Sequence, residues 1–81
     1  MISTVLVVDD SKSSRRVNTA LLHGVFGDAV AYLEASGGEA ALELLGSQAV
    51  DLVLLDLTMP GMSGFDVLAA LQERKSTATV I

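Results

Sequence analysis

Two apolar runs stand out along the chain, Val5-Leu-Val-Val8 and Asp51-Leu-Val-Leu-Leu55, and each is closed by an aspartate. Aliphatic runs of four without polar alternation predict strands covered on both faces, so these are strands one and three. After the first, Ser11 can cap a helix in which Val17, Ala20, Leu21 and Val25 recur at helical spacing, and Gly24 offers a stop; helix one is expected to end near His23. Ala29 to Glu34 reads as strand two. Gly37-Gly38 then makes a turn, and Ala41, Leu44 and Leu45 give helix two an apolar face before Gly46. Beyond strand three, Thr58 to Gly64 holds Pro60-Gly61 and reads as a loop. Ser63, with Asp66 three positions on, forms an N-terminal capping pair for helix three. In that helix Val67, Leu68 and Leu71 face inward, and Arg74 and Lys75 favour the negative end of the dipole. Thr79-Val-Ile81 opens strand four.

Strict alternation of strands and helices with short connections predicts parallel strands, right-handed crossovers and helices on both faces of one sheet. The class is α/β, doubly wound. No internal repeat, low-complexity segment or linker interrupts the pattern, and 81 residues suit one domain with one core.

Composition narrows the chemistry. Hydrophobic residues make up 51% and aromatics only 4%, so the interior is built from Val, Leu, Ile and Ala. Ten acidic against five basic residues give a net charge of -5, which repels a polyanion and argues against nucleic acid as a direct ligand. The longest stretch without an ionised residue, Val17 to Gly27, is too short and too polar to span a bilayer. The start of the chain lacks the basic and apolar segments of a signal peptide, so a cytoplasmic location is expected. With no cysteine, disulfides and thiolate metal sites are excluded, and any metal must bind oxygen.

Parallel strands all end on one edge of the sheet, so Asp9 and Asp10 after strand one and Asp56 after strand three emerge together if those two strands are neighbours. Ligands of open α/β sheets bind there when the winding direction reverses between them. Three adjacent carboxylates repel one another; either some hold a proton or a cation relieves the repulsion, and a cation is the better reading. Carboxylate oxygens without His or Cys suit Mg²⁺, which commonly pairs one or two carboxylates with a phosphate oxygen. An Asp can also be a nucleophile that forms an acyl phosphate. The residues themselves thus lead to Mg²⁺-dependent phosphoryl chemistry. Any one of these acids taken alone reads equally well as a solvated strand end; their coincidence is the signal.

Three segments, Val5-Leu-Val-Val-Asp-Asp-Ser11, Ala35-Ser-Gly-Gly-Glu-Ala-Ala-Leu42 and Asp51-Leu-Val-Leu-Leu-Asp-Leu-Thr-Met-Pro-Gly-Met-Ser-Gly64, resemble the response-regulator receiver family of two-component signalling. The resemblance spans the chain, and the last segment is the most specific. It implies a flavodoxin-like sheet of strand order 2-1-3-4, present here as its first four strands and three helices, with residues 1–81 forming the N-terminal part of a receiver domain. It also implies Asp56 as phosphoacceptor, Asp10 as a direct Mg²⁺ ligand, Asp9 as a ligand largely through water, and the main-chain carbonyl of Thr58 as the remaining protein ligand. Met59, Pro60 and Gly61 shape the loop that presents Asp56, and Thr58 borders the phosphoryl group. Family members take that group from a phosphohistidine on a sensor histidine kinase or phosphotransfer protein. They are signalling domains rather than enzymes, limited to self-catalysed phosphotransfer and slow autodephosphorylation.

A whole receiver has five strands and five helices, so the resemblance puts the family's switch hydroxyl and phosphate-binding Lys beyond Ile81 and predicts weak signalling from this piece alone. It would also leave strand four as an exposed edge open to self-association. Two rival readings follow: a receiver-like interaction or dimerisation module that works without phosphorylation, and an Mg²⁺-dependent phosphatase, whose usual second acid two residues on is here Thr58. The other candidates read more plainly. His23 is expected at the end of helix one, away from the acids, and Arg15 and Arg16 read as a solvated face. Met59 and Met62 read as loop packing, and Gly37-Gly38 lacks the spacing of a phosphate cradle.

Overall fold

The alternation of apolar runs and amphipathic stretches builds one parallel sheet in the computed structural model, which describes residues 2–56, 64–73 and 79–80. Its elements are β1 (Thr4–Val8), α1 (Lys12–Phe26), β2 (Ala31–Ala35), α2 (Gly38–Ser47), β3 (Leu52–Leu55), α3 (Gly64–Glu73) and β4 (Thr79–Val80). The strands lie in the order β2-β1-β3-β4, and every pair is parallel. The chain winds outward one way from β1 to β2 and the other way from β3 to β4, so the reversal falls between β1 and β3. This is the doubly wound sheet that the sequence pattern predicted, in the flavodoxin-like order that the resemblance implied.

Both faces are covered because neighbouring side chains in a strand point to opposite sides. Leu6 and Val8 of β1 with Val53 and Leu55 of β3 pack against Ala41 of α2 and Val67 and Leu71 of α3. Val5 and Leu52 point to the other side, where Val30, Leu22 and Phe26 meet them. Leu6, Val7 and Val53 are completely buried. At the lower edge of the sheet, the Asp51 carboxylate accepts hydrogen bonds from the main-chain N–H groups of Ser3 (2.9 Å) and Thr4 (3.0 Å) and from the Ser3 hydroxyl (3.0 Å). It ties the start of β3 to the start of β1.

Four local expectations need correction. Helix α1 continues past His23 and Gly24 to Phe26, and the residue that stops it is Gly27. Its φ of 81° and ψ of -167° suit glycine, and its N–H donates to the His23 carbonyl at 2.8 Å. Gly46 likewise lies inside α2, whose C-terminal cap is Gln48. A glycine within a helix costs only about 0.5–1 kcal/mol relative to alanine, so it does not by itself end one. Strand β2 begins at Ala31 rather than Ala29, because Ala31 pairs with Thr4, the first residue of β1.

The fourth concerns which side of α1 faces the sheet. Val17, Leu21 and Val25, expected to form its inward stripe, are 58%, 64% and 75% exposed, and no residue of α1 is fully buried. Leu22 and Phe26, one position further round the helix, make the sheet contact. Helical periodicity shows that an apolar face exists; here two apolar sides compete, and the sheet takes the one carrying the aromatic ring. Elsewhere the inward residues of α3 are as expected, with Val67 and Leu71 buried and Leu68 packed against them. The capping role of Ser63, the last-turn positions of Arg74 and Lys75, and Ile81 lie outside the described residues.

Candidate functional site

Strands β1 and β3 are hydrogen-bonded neighbours, with Val8 opposite Leu55, so Asp9 and Asp56 leave the sheet side by side. The ladder continues one step into both: the Asp9 N–H donates to the Ala35 carbonyl at 3.1 Å and the Asp56 N–H to the Val8 carbonyl at 3.0 Å. Asp10 follows in the loop before α1. One carboxylate oxygen from each of Asp9, Asp10 and Asp56 lies within 4.8 Å of the others, with Asp9 and Asp56 half-buried and Asp10 exposed. The adjacency on which the sequence argument depended is therefore present.

The loop that carries the two acids of β1 is held at several points. An Asp9 side-chain oxygen accepts from the Ser11 N–H at 2.9 Å, and the Ser11 hydroxyl in turn caps α1 by accepting from the Ser14 N–H at 3.3 Å. The Arg15 guanidinium reaches back from the first turns of α1 and donates through Nη1 to the Asp9 main-chain carbonyl at 2.8 Å. Its Nε pairs with Glu34 Oε1 of β2 at 3.5 Å, and the Arg15 side chain is only 15% exposed. Arg15 is thus no part of a solvated face. Sequence reasoning missed it because its partners, a main-chain carbonyl and a residue on the next strand, leave no local signal.

His23 stands apart from the acids, as expected. Its Nε2 lies 2.6 Å from Asp28 Oδ1, and its ring packs against Tyr32 with centroids 5.3 Å apart. The Tyr32 hydroxyl donates to the Gly27 carbonyl at 2.9 Å, fastening the α1–β2 connection, and burial, then the Asp28 charge, holds its pKa above the ordinary value. Thr58, Met59, Pro60 and Gly61 lie outside the described residues.

Three oxygen donors without nitrogen or sulfur suit a hard divalent cation. Carboxylate oxygens gathered within 4.8 Å of one another are donors of the kind such a cation takes together with water. The donor set fits the ion. No helix among the described residues is long and apolar enough to cross a membrane.

Residues 5–81 match the family model of the response regulator receiver domain. The positive alginate biosynthesis regulatory protein of Pseudomonas aeruginosa is 43% identical over 77 residues, a match covering 95% of this chain and 31% of that protein. Among solved structures, the MaeR response regulator bound to beryllium trifluoride superimposes with a TM-score of 0.90 at 28% identity, covering 99% of this chain and 65% of that one. The response regulator TrrA of Thermotoga maritima, in complex with Mg²⁺ and beryllium fluoride, gives 0.87 at 33% identity over 98% of this chain and 66% of that one. TrrA has also been solved in complex with the histidine kinase ThkA. The chain spans about a third of the curated relative and about two thirds of the solved receivers. With sequence and superposition agreeing along nearly its whole length, this chain belongs to the response regulator receiver domain family.

Proposed function

We propose that the chain is the N-terminal part of a receiver domain that accepts a phosphoryl group on Asp56, with Mg²⁺ held beside it by Asp9, Asp10, Asp56 and the Thr58 main-chain carbonyl. The observation that carries this reading is the convergence of three carboxylates within 4.8 Å where the winding of the sheet reverses. Asp56 is the residue of choice for the nucleophile because it stands in the segment whose resemblance to receiver domains is the most specific, while Asp9 and Asp10 share the loop after β1. The TrrA complex with Mg²⁺ and beryllium fluoride supports the cofactor.

In the reaction, an Asp56 carboxylate oxygen attacks phosphorus, an oxygen–phosphorus bond forms, and the phosphorus–nitrogen bond of the donor's phosphohistidine breaks. The imidazole keeps the bonding electron pair and takes a proton from water. Bound Mg²⁺ supplies the positive charge that offsets the phosphoryl oxygens. The protein's own share is positional: Asp9 and Asp10, on the loop after β1, would hold the cation, and β3 presents the Asp56 carboxylate beside them. The donor is a sensor histidine kinase or phosphotransfer protein, a reading supported by the complex of TrrA with ThkA. In this reading the receiver domain is a signalling phosphoacceptor whose only chemistry is its own phosphorylation and slow dephosphorylation. Its charge of -5 argues against nucleic acid as a direct ligand, and a partner of a sensor kinase's phosphotransfer belongs in the cytoplasm.

The test is incubation with a small acyl-phosphate donor and Mg²⁺, read by intact mass. Phosphorylation of the wild type, its loss in Asp56→Asn and its loss on chelation of Mg²⁺ are expected. Equal labelling of Asp56→Asn would refute the assignment and favour a module that works without this phosphorylation.

A further inference from the structure

We infer that Arg15 is a positioning residue for the divalent cation, acting by clamping the peptide plane that joins Asp9 to Asp10; the inference rests on the proposed metal site. The Asp9 carbonyl and the Asp10 N–H belong to one planar unit, so holding the carbonyl fixes where Asp10 leaves the chain. Arg15 Nη1 holds that carbonyl at 2.8 Å. The guanidinium cannot swing away, because Nε pairs with Glu34 on β2 at 3.5 Å and the side chain is 15% exposed. Asp9 is further pinned through its N–H to Ala35 and its side chain to the Ser11 N–H. Arg15 thus links three elements, β1, α1 and β2, at the one peptide between two acids of the site. Its planar fork gives two fixed donor directions, which a lysine ammonium on a flexible stem does not.

The sign of the effect separates this role from its rivals. A cation beside a metal site opposes metal binding by charge alone, so removing Arg15 would tighten Mg²⁺ affinity if charge were its whole contribution. If Arg15 only packed, affinity would not change and only thermal stability would fall. A positioning role predicts weaker binding, by about tenfold, the lower end of what losing an outer partner of a metal site costs.

The experiment is a titration of the full chain with Mg²⁺ alone, followed by amide resonances. Arg15→Met is expected to bind about tenfold more weakly and to move the Asp10 amide resonance in the metal-free protein. Arg15→Lys should fall between Arg15→Met and wild type, and it carries the test if Arg15→Met does not fold. Glu34→Gln should stay near wild type, since the amide oxygen still accepts from Nε. Unchanged or tighter binding in the Arg15 variants would overturn the inference. Asp56→Asn separates the two layers: wild-type Mg²⁺ binding in that variant sinks the metal site itself. Loss of binding there beside unchanged binding in Arg15→Met sinks only the clamp.

Discussion

Asp51 and Asp56 bracket the same strand, yet their surroundings give them different work. At the lower edge, the main-chain N–H groups of Ser3 and Thr4 and the Ser3 hydroxyl stabilise the charged Asp51 carboxylate; these bonds, led by the Ser3 N–H, hold its pKa below the ordinary aspartate value against a smaller opposing effect of burial. A carboxylate with a depressed folded pKa adds stability that is complete above its unfolded value, near about 3.9, and is lost as pH falls through the folded one. Thermal melts from pH 6 downward should therefore show a drop in Tm below about pH 4 that is smaller in Asp51→Ala than in wild type. An identical acid limb in both would contradict the linkage. Among residues, the acids were the most legible part of the site. Asp9, Asp10 and Asp56 are marked by the apolar runs they terminate, whereas Arg15 gave no sign, because its carbonyl and carboxylate partners become neighbours only when β2 docks beside β1.

Helix α1 shows what periodicity can and cannot say about an element. The 3.6-residue recurrence in Lys12–Phe26 announced a helix, and Ser11 marked its start, as the hydrogen bond to Ser14 bears out. Which side turns inward was not in the pattern. Val17, Leu21 and Val25 made the more regular stripe, but Leu22 and Phe26 meet the Val5, Val30 and Leu52 cluster. The helix end was also misplaced, since both Gly24 and Gly27 resemble stops and only backbone geometry tells them apart. That distinction is measurable. A Cβ at Gly24 would meet no atom within 4 Å, so Gly24→Ala should stabilise the protein by about 0.5–1 kcal/mol. Gly27→Ala should destabilise it by about 1–3 kcal/mol, because φ of 81° is unfavourable for a residue with a Cβ. Denaturant melts read both, and the same sign for the two would contradict the placement of the helix end.

For the molecule as a whole, the apolar runs marked β1 and β3 as strands covered on both sides, while the order β2-β1-β3-β4 came from the family resemblance. Their adjacency was a condition rather than a reading, since pairing between residues 5 and 52 joins segments remote in sequence. That same pairing makes the core and the site interdependent. Leu6 is fully buried at the centre of the sheet, and Leu6→Ala should cost about 2–5 kcal/mol in chemical denaturation. For 81 residues the total stability is of the order of 4–12 kcal/mol, so this one change removes a large share of it. A cost near zero would contradict the packing described. The acids lie one step beyond that core, and whether they act together on one ion is decided most directly by Mg²⁺ titration of the wild-type chain with residue-by-residue amide detection. The account predicts saturable one-to-one binding whose largest shifts fall at residues 8–11 and at Asp56. Shifts that fail to saturate, or that centre on the His23–Asp28 pair instead, would contradict it.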